Sequence, residues 1–213
     1  MSELNPDAAR DLVRRGYDEI SEAYRGDDEP QHRPGGSSRY VEWVARLEAT
    51  VPPRGRILDL GCGNGVPVCR QLALAGYVVT GVDFSAVQIE RARRLVPSVT
   101  FLVADMTAVS FAPESFEAVL ALYSLIHVPL AEQPVLLARM REWLVPGGRG
   151  LLITGHQAWT GTEHGWLGGG QMWWSQADAA TYRYWLTAAG SRIEAEEFVP
   201  EGDGGHALFT FSR

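Results

Sequence analysis

The sequence predicts an α/β protein built on a doubly wound sheet of seven strands, mostly parallel with the last strand antiparallel. Two observations carry this expectation. From Arg56 onward, short β-branched runs alternate with stretches of helical periodicity, and repeated strand–helix–strand units demand a parallel sheet with helices on both faces. The last two strand candidates are joined only by PEGDGG, a link that can turn antiparallel neighbours but is too short for a parallel crossover. A chain of 213 residues can bury one substantial core. It shows no internal repeat and no domain-sized linker, so one domain over 1–213 is expected.

In chain order, Asp7 to Arg25 reads as a helix. Asn5 and Asp7 are cap candidates, Pro6 stands in the first turn, and Leu12, Val13, Tyr17, Ile20 and Tyr24 form an apolar stripe. The polar stretch GDDEPQHRPGGSS follows, with the composition of a mobile loop. A second helix, Tyr40 to Ala49, ends before Pro52-Pro53, and residues 1–52 together read as an N-terminal helical cap. The strand candidates are then Arg56–Leu60, Tyr77–Asp83, Val99–Ala104, Phe116–Tyr123 and Gly148–Thr154. Helices are expected between them at Val66–Ala75, Ala86–Leu95 and Glu132–Leu144. Residues 155–176, rich in Gly and Trp, read as a loop inserted before a helix at Ala177–Ala189, and Arg192–Val199 and His206–Ser212 complete the sheet.

Composition removes several function classes. The net charge is −7 and the chain contains no lysine; a phosphate backbone is held chiefly by clustered cations, so nucleic acid is not an expected partner. Arginine pairs such as Arg14-Arg15 and Arg93-Arg94 read as solvated helix faces. No apolar run is long enough for a membrane span, the opening MSELNPDAARDLVRRG lacks a signal-peptide core, and Cys62 and Cys69 are the two cysteines. A cytoplasmic protein with free thiols, away from membranes, is expected.

The sharpest local signal is ILDLGCGNG, residues 57–65, an apolar strand running into glycines at alternate positions and then a helix. Glycine there lets the backbone turn and approach a ligand, and the helix start offers unpaired N–H groups. Asp83 ends the next strand about 20 residues on, where a carboxylate can accept both hydrogen bonds of a ribose diol; capping of the helix that follows is the structural alternative. Asp105 ends the third strand, within reach of an adenine amino group and with Met106 beside the ring, or is simply an exposed loop carboxylate. All of these lie at one rim of the sheet, at the crevice where open α/β sheets bind ligands.

With these residues assembled, the sequence resembles the class I S-adenosylmethionine-dependent methyltransferases, of the small-molecule type, over Arg56 to Ile153. The segments that carry the likeness are ILDLGCGNG, GVDFS, VADMTAVSFAPESFEAVLALYSLIHVP and LVPGGRGLLIT. The resemblance implies a Rossmann-like sheet, S-adenosylmethionine as cofactor, and cofactor contacts from Gly61, Cys62, Gly63, Asp83, Phe84, Asp105 and Met106, to which we add Tyr24, Asp59, Gln88 and Leu122. A nicotinamide dinucleotide is the rival, but its G-x-G-x-x-G fingerprint has Val66 in the last place, and Asp59 precedes the glycines as in the methyltransferases. The implied reaction is transfer of the methyl group to O, N or C of a small organic metabolite, of the kind made in secondary metabolism. The alternatives are a cofactor-binding protein of the same fold with a non-methyl reaction or no catalysis.

The fourth strand ends in Leu122-Tyr123-Ser124-Leu125, which departs from the Asn or Asp followed by two prolines and an aromatic seen in enzymes that methylate nucleobase or glutamine amines. No carboxylate stands between Ala118 and Val128, so no metal is expected. His127 lies just past this strand and is a candidate general base; contact with cofactor or substrate and a purely structural role remain open for it. His156 is a second candidate base, and His164 is placed with the substrate. The cluster Trp159, Trp166, Trp173 and Trp174 reads as an aromatic cap, Trp173 and Trp174 over a planar substrate, or as packing, or as a dimer contact. Tyr17 and Tyr123 are placed at the substrate, and Arg25 near the cofactor carboxylate. A monomer or a homodimer fits equally.

Overall fold

The computed structural model describes residues 4–27, 37–167 and 170–213. Part of the polar loop expected after the first helix, residues 28–36, lies outside the described residues.

Two helices come first. α1 (Pro6–Tyr24) starts where the Asn5 side chain accepts from the Ala8 N–H at 2.8 Å, with Pro6 in the first turn where its missing N–H costs nothing. α2 is Ser37–Glu48. The alternation then runs β1 (Arg56–Leu60), α3 (Val68–Leu74), β2 (Val78–Asp83), α4 (Ala86–Leu95), β3 (Thr100–Val103), β4 (Phe116–Ala121), α5 (Gln133–Trp143) and β5 (Leu144–Gly155). β6 (Trp159–Trp166) and β7 (Gly170–Gln176) follow, then α6 (Ala179–Ala188), β8 (Arg192–Glu201) and β9 (Gly204–Ser212).

Seven strands form one sheet in the order β3-β2-β1-β4-β5-β9-β8. β1 to β5 pair in parallel, and β9 runs antiparallel to both β5 and β8. The expected sheet is therefore present. Side chains alternate across it. Ile57, Leu151 and Ile153 pack toward α2, α3 and α4, while Leu58, Leu60, Leu152, Phe209 and Phe211 pack toward α5 and α6. The chain reverses its winding direction between β1 and β4, so the crevice at the carboxyl ends of these two strands is left uncovered by either crossover.

One expectation fails. Residues 155–176 are not a loop: β5 reaches Gly155, and β6 and β7 form a separate two-stranded antiparallel hairpin. The glycines suggested a loop, but Trp and Thr have strong β preference, and pairing gives the glycine backbones partners they lack in a loop. The hairpin packs on α1: an added Cβ at Gly16 would lie 2.7 Å from the Gln171 carbonyl oxygen. Trp166, Met172 and Trp173 bury with Ala9 and Val13 of that helix.

Candidate functional site: the cleft at the strand ends

A cleft opens at the carboxyl ends of β1 to β4. The glycine loop forms its floor. Gly61, Gly63 and Gly65 all have positive φ, and the Gly61 N–H donates to the Val82 carbonyl at 2.7 Å. A Cβ at Gly61 would meet Ser124 Cβ at 2.2 Å, because Ser124 Oγ donates across to the Leu60 carbonyl at 2.7 Å and ties β4 to β1. A Cβ at Gly63 would meet nothing within 4 Å, so the backbone there is open to a ligand.

Asp83 braces this loop. Its carboxylate accepts from the Gly63 N–H at 3.0 Å and the Ser85 N–H at 2.9 Å. Burial pushes its pKa up to about 6 against the pull of these bonds. Asp59 is more deeply placed, 3% exposed, and accepts from the Cys69 thiol at 3.3 Å. Burial, with the Asp83 charge nearby, raises it to about 7. Cys62, also in the cleft wall, is pushed up to about 11 by burial, so its thiol stays protonated. Among the described residues Gln88 Oε1, in a residue that lines the cleft, is buried without a hydrogen-bond partner, and a ligand donor would satisfy it.

The α1 side of the cleft is aromatic. Tyr17, Tyr24, Tyr40 and Tyr123 line it, with the Arg25 guanidinium over the rings of Tyr24 (5.4 Å) and Tyr40 (4.6 Å). Tyr123 has φ +57°, a left-handed conformation that is uncommon for a bulky side chain. Its ring packs on Tyr40 and on His206.

His127 sits in a single 3₁₀ turn, Leu125–His127, directly after β4. Its Nδ1 lies 2.8 Å from the Trp173 carbonyl oxygen, which can only accept, so Nδ1 carries the proton. Nε2 is then the acceptor for the Tyr17 hydroxyl at 3.0 Å. Burial lowers the pKa to about 4, and the ring is neutral at pH 7.

Every residue expected at the cofactor lines this one cleft: Tyr24, Asp59, Gly61, Cys62, Gly63, Asp83, Phe84, Gln88, Asp105, Met106 and Leu122. Tyr17, Tyr123 and His127 line it as well. His156, His164, Trp173 and Trp174 are not among its lining residues. His156 stacks edge-on against Phe198, and His164 is exposed on β6. Trp173 is buried behind α1 and meets the site only through its backbone carbonyl; Trp174 packs on His127 from outside and donates to Glu163 at 3.0 Å. Aromatic clustering in sequence gives no direction, and the hairpin turns these rings toward α1. Sequence reasoning missed Arg10, Tyr40, Asn64, Thr107 and Ser124 in the lining. Of these, Asn64, inside the glycine loop, and Thr107, two residues past Asp105, carried a signal that could have been read.

A glycine loop between β1 and α3, acidic ends on β1 and β2, and a sheet reversing beside them on the order β3-β2-β1-β4-β5-β9-β8 define a class I methyltransferase fold. Comparison with known proteins agrees. Residues 57–148 match the methyltransferase domain family. It is 32% identical over 151 residues to 27-O-demethylrifamycin SV methyltransferase of Amycolatopsis mediterranei, a match covering 67% of this chain and 54% of that protein. The chain spans only about half of that relative and smaller fractions of several others, such as 33% of a putative methyltransferase of Bacillus subtilis. Among solved structures, magnesium protoporphyrin IX methyltransferase from Synechocystis with bound S-adenosylmethionine superposes with a TM-score of 0.76 at 19% identity, covering 100% of this chain and 99% of that one. The [4+2]-cyclase SpnF does so at 0.74 and 19%, with the same coverage. The fold is thus shared with a protein named for a different reaction.

Among the described residues no helix is long and apolar enough to cross a membrane.

Proposed function

We propose that the chain binds S-adenosylmethionine in this cleft and transfers its methyl group to a small organic acceptor. The observation that carries the reading is the convergence on one cleft of the open Gly63 backbone, the braced Asp83 carboxylate and the Tyr17–His127 pair. The residues fit the cofactor: Gly61 to Gly63 would face its amino acid end with Asp59 toward the ammonium, Asp83 the ribose, and Asp105 with Met106 the adenine. Bound there, the cofactor supplies a methyl group already activated by a sulfonium, so the protein chiefly aligns the reactants and excludes water.

The chain's own chemistry is a proton path. The Tyr17 hydroxyl can accept the acceptor's proton as it passes its own to Nε2 of His127, whose orientation and tautomer are fixed by the Trp173 carbonyl. A base with a pKa near 4 is weak. It takes the proton only as the new bond to carbon forms, not before. The Tyr17, Tyr24, Tyr40 and Tyr123 wall supports a small acceptor with planar or apolar surface. A cytoplasmic location fits the two free thiols, Cys62 and Cys69.

Calorimetric titration with S-adenosylmethionine tests the reading, with Asp83→Ala and a nicotinamide dinucleotide as controls. Loss of two charge-assisted hydrogen bonds at roughly 1.5 to 3 kcal/mol each should weaken binding in the variant by at least a hundredfold. Binding of the dinucleotide, or none of either compound, would overturn it.

A further inference from the structure

The carboxylate of Asp105 is not waiting free for a ligand. Its Oδ1 accepts from both the Thr107 N–H (2.7 Å) and the Thr107 hydroxyl (2.8 Å), which fills that oxygen. Its Oδ2 accepts from Arg10 Nε at 2.8 Å and so has one lone pair left. Arg10 belongs to the second turn of α1, more than 90 residues away in sequence, and itself lines the cleft. The rest of its guanidinium pairs with Glu132 and reaches Thr107 Oγ1 at 3.4 Å.

The same helix is tied down further along. Asp18 accepts from Ser85 Oγ at 2.5 Å, and near its end Arg91 donates to Ser21 Oγ and to the Arg25 carbonyl, each at 2.6 Å. α1 therefore lies across the cleft as a strap, and Arg10 is the fastening at the Asp105 end.

Building on the cofactor reading above, we propose that Arg10 is a positioning residue for the base subsite: it fixes Asp105 so that a single remaining lone pair faces a purine exocyclic amino group, and it makes that recognition conditional on α1 lying closed. The logic is one of counting acceptors. A carboxylate with one oxygen filled and the other half-filled can take one N–H donor and cannot turn away from it. Without Arg10, Oδ2 is free to turn to water, and the preference for a donor at that position weakens. Because Arg10 and Asp105 sit on different elements, the pair exists only in the closed arrangement, so a base bound to Asp105 and a fastened α1 stabilise each other.

The test is a binding cycle. S-adenosylhomocysteine and S-inosylhomocysteine, in which a carbonyl replaces the exocyclic amine, are titrated into wild type, Arg10→Ala and Arg10→Lys, with thermal melting to verify folding. Wild type should favour the adenine compound. In Arg10→Ala that preference should fall by about tenfold, the value of one hydrogen bond to a charged group. Stopped-flow release of S-adenosylhomocysteine should quicken as well. Arg10→Lys, which restores the charge without the fork, should recover part of the preference. An unchanged preference in Arg10→Ala, or equal weakening of both ligands, would overturn the proposal, since a residue that merely holds α1 in place would not distinguish the two bases. Failure of the wild type to bind either ligand would instead sink the cofactor reading on which it rests.

Discussion

Asp59→Asn should make the ligand-free protein more stable above neutral pH while damaging cofactor affinity. Asp59 is 3% exposed, its hydrogen bond comes from a thiol, and burial raises its carboxyl from 3.8 to about 7. Between these values the unfolded chain gives up its proton while the folded one keeps it. Stability from this group is therefore whole below about pH 4 and is lost as pH rises to about 7. At 1.36 kcal/mol per unit, the full loss is roughly 4 kcal/mol. An amide carries no such burden, though its N–H₂ must find acceptors beside Cys69 and Asp83, and that offsets about 1 to 2 kcal/mol. The expected outcome of urea unfolding is a gain of about 2 to 3 kcal/mol at pH 8 and none at pH 4.5. A variant whose stability falls with pH as steeply as the wild type's would refute the reasoning, because burial of this carboxyl would then not be the source of the slope.

Further expectations concern the site. The Asp83→Ala and Arg10→Ala experiments described above read the ribose and base ends of the cleft. Tyr17→Phe, measured once an acceptor is found, should lower kcat by about a hundredfold or more with little change in KM; the wild-type rate should fall only as pH drops through about 4, where burial has set the His127 pKa, and a rate loss centred near 6.5 would disprove that burial. Trp173→Ala removes a ring buried behind α1 but keeps the carbonyl that holds His127, so it should cost about 3 to 5 kcal/mol of stability while calorimetry finds S-adenosylmethionine affinity essentially unchanged.

Much of the cofactor side was legible because it rests on local backbone chemistry. Gly61 and Gly63 occur where a strand must turn at positive φ, and Asp83 ends the next parallel strand, so strand order alone brings it to Gly63. The substrate side was not legible in the same way. Trp173 and Trp174 looked like a ligand cap, yet nothing local to a Trp–Trp pair says which way a hairpin will face. Arg10 carried no signal, because its partners Asp105 and Glu132 are remote in sequence. Tyr123, whose ring packs against Tyr40 and His206 from distant segments, gave no sign of its left-handed backbone.

What the sequence by itself determined is the sheet and its glycine rim, since hydrophobic period, strand length and the conformational freedom of glycine act over a few residues at a time. What only the tertiary structure decided is what closes the cleft. The hydrogen bond from Tyr17 to His127, the fastening of Arg10 to Asp105 and the turning of the Trp-rich hairpin toward α1 are contacts between distant segments. They exist only once burial of α1 against β7 has fixed where that helix lies, and no spacing along the chain encodes them.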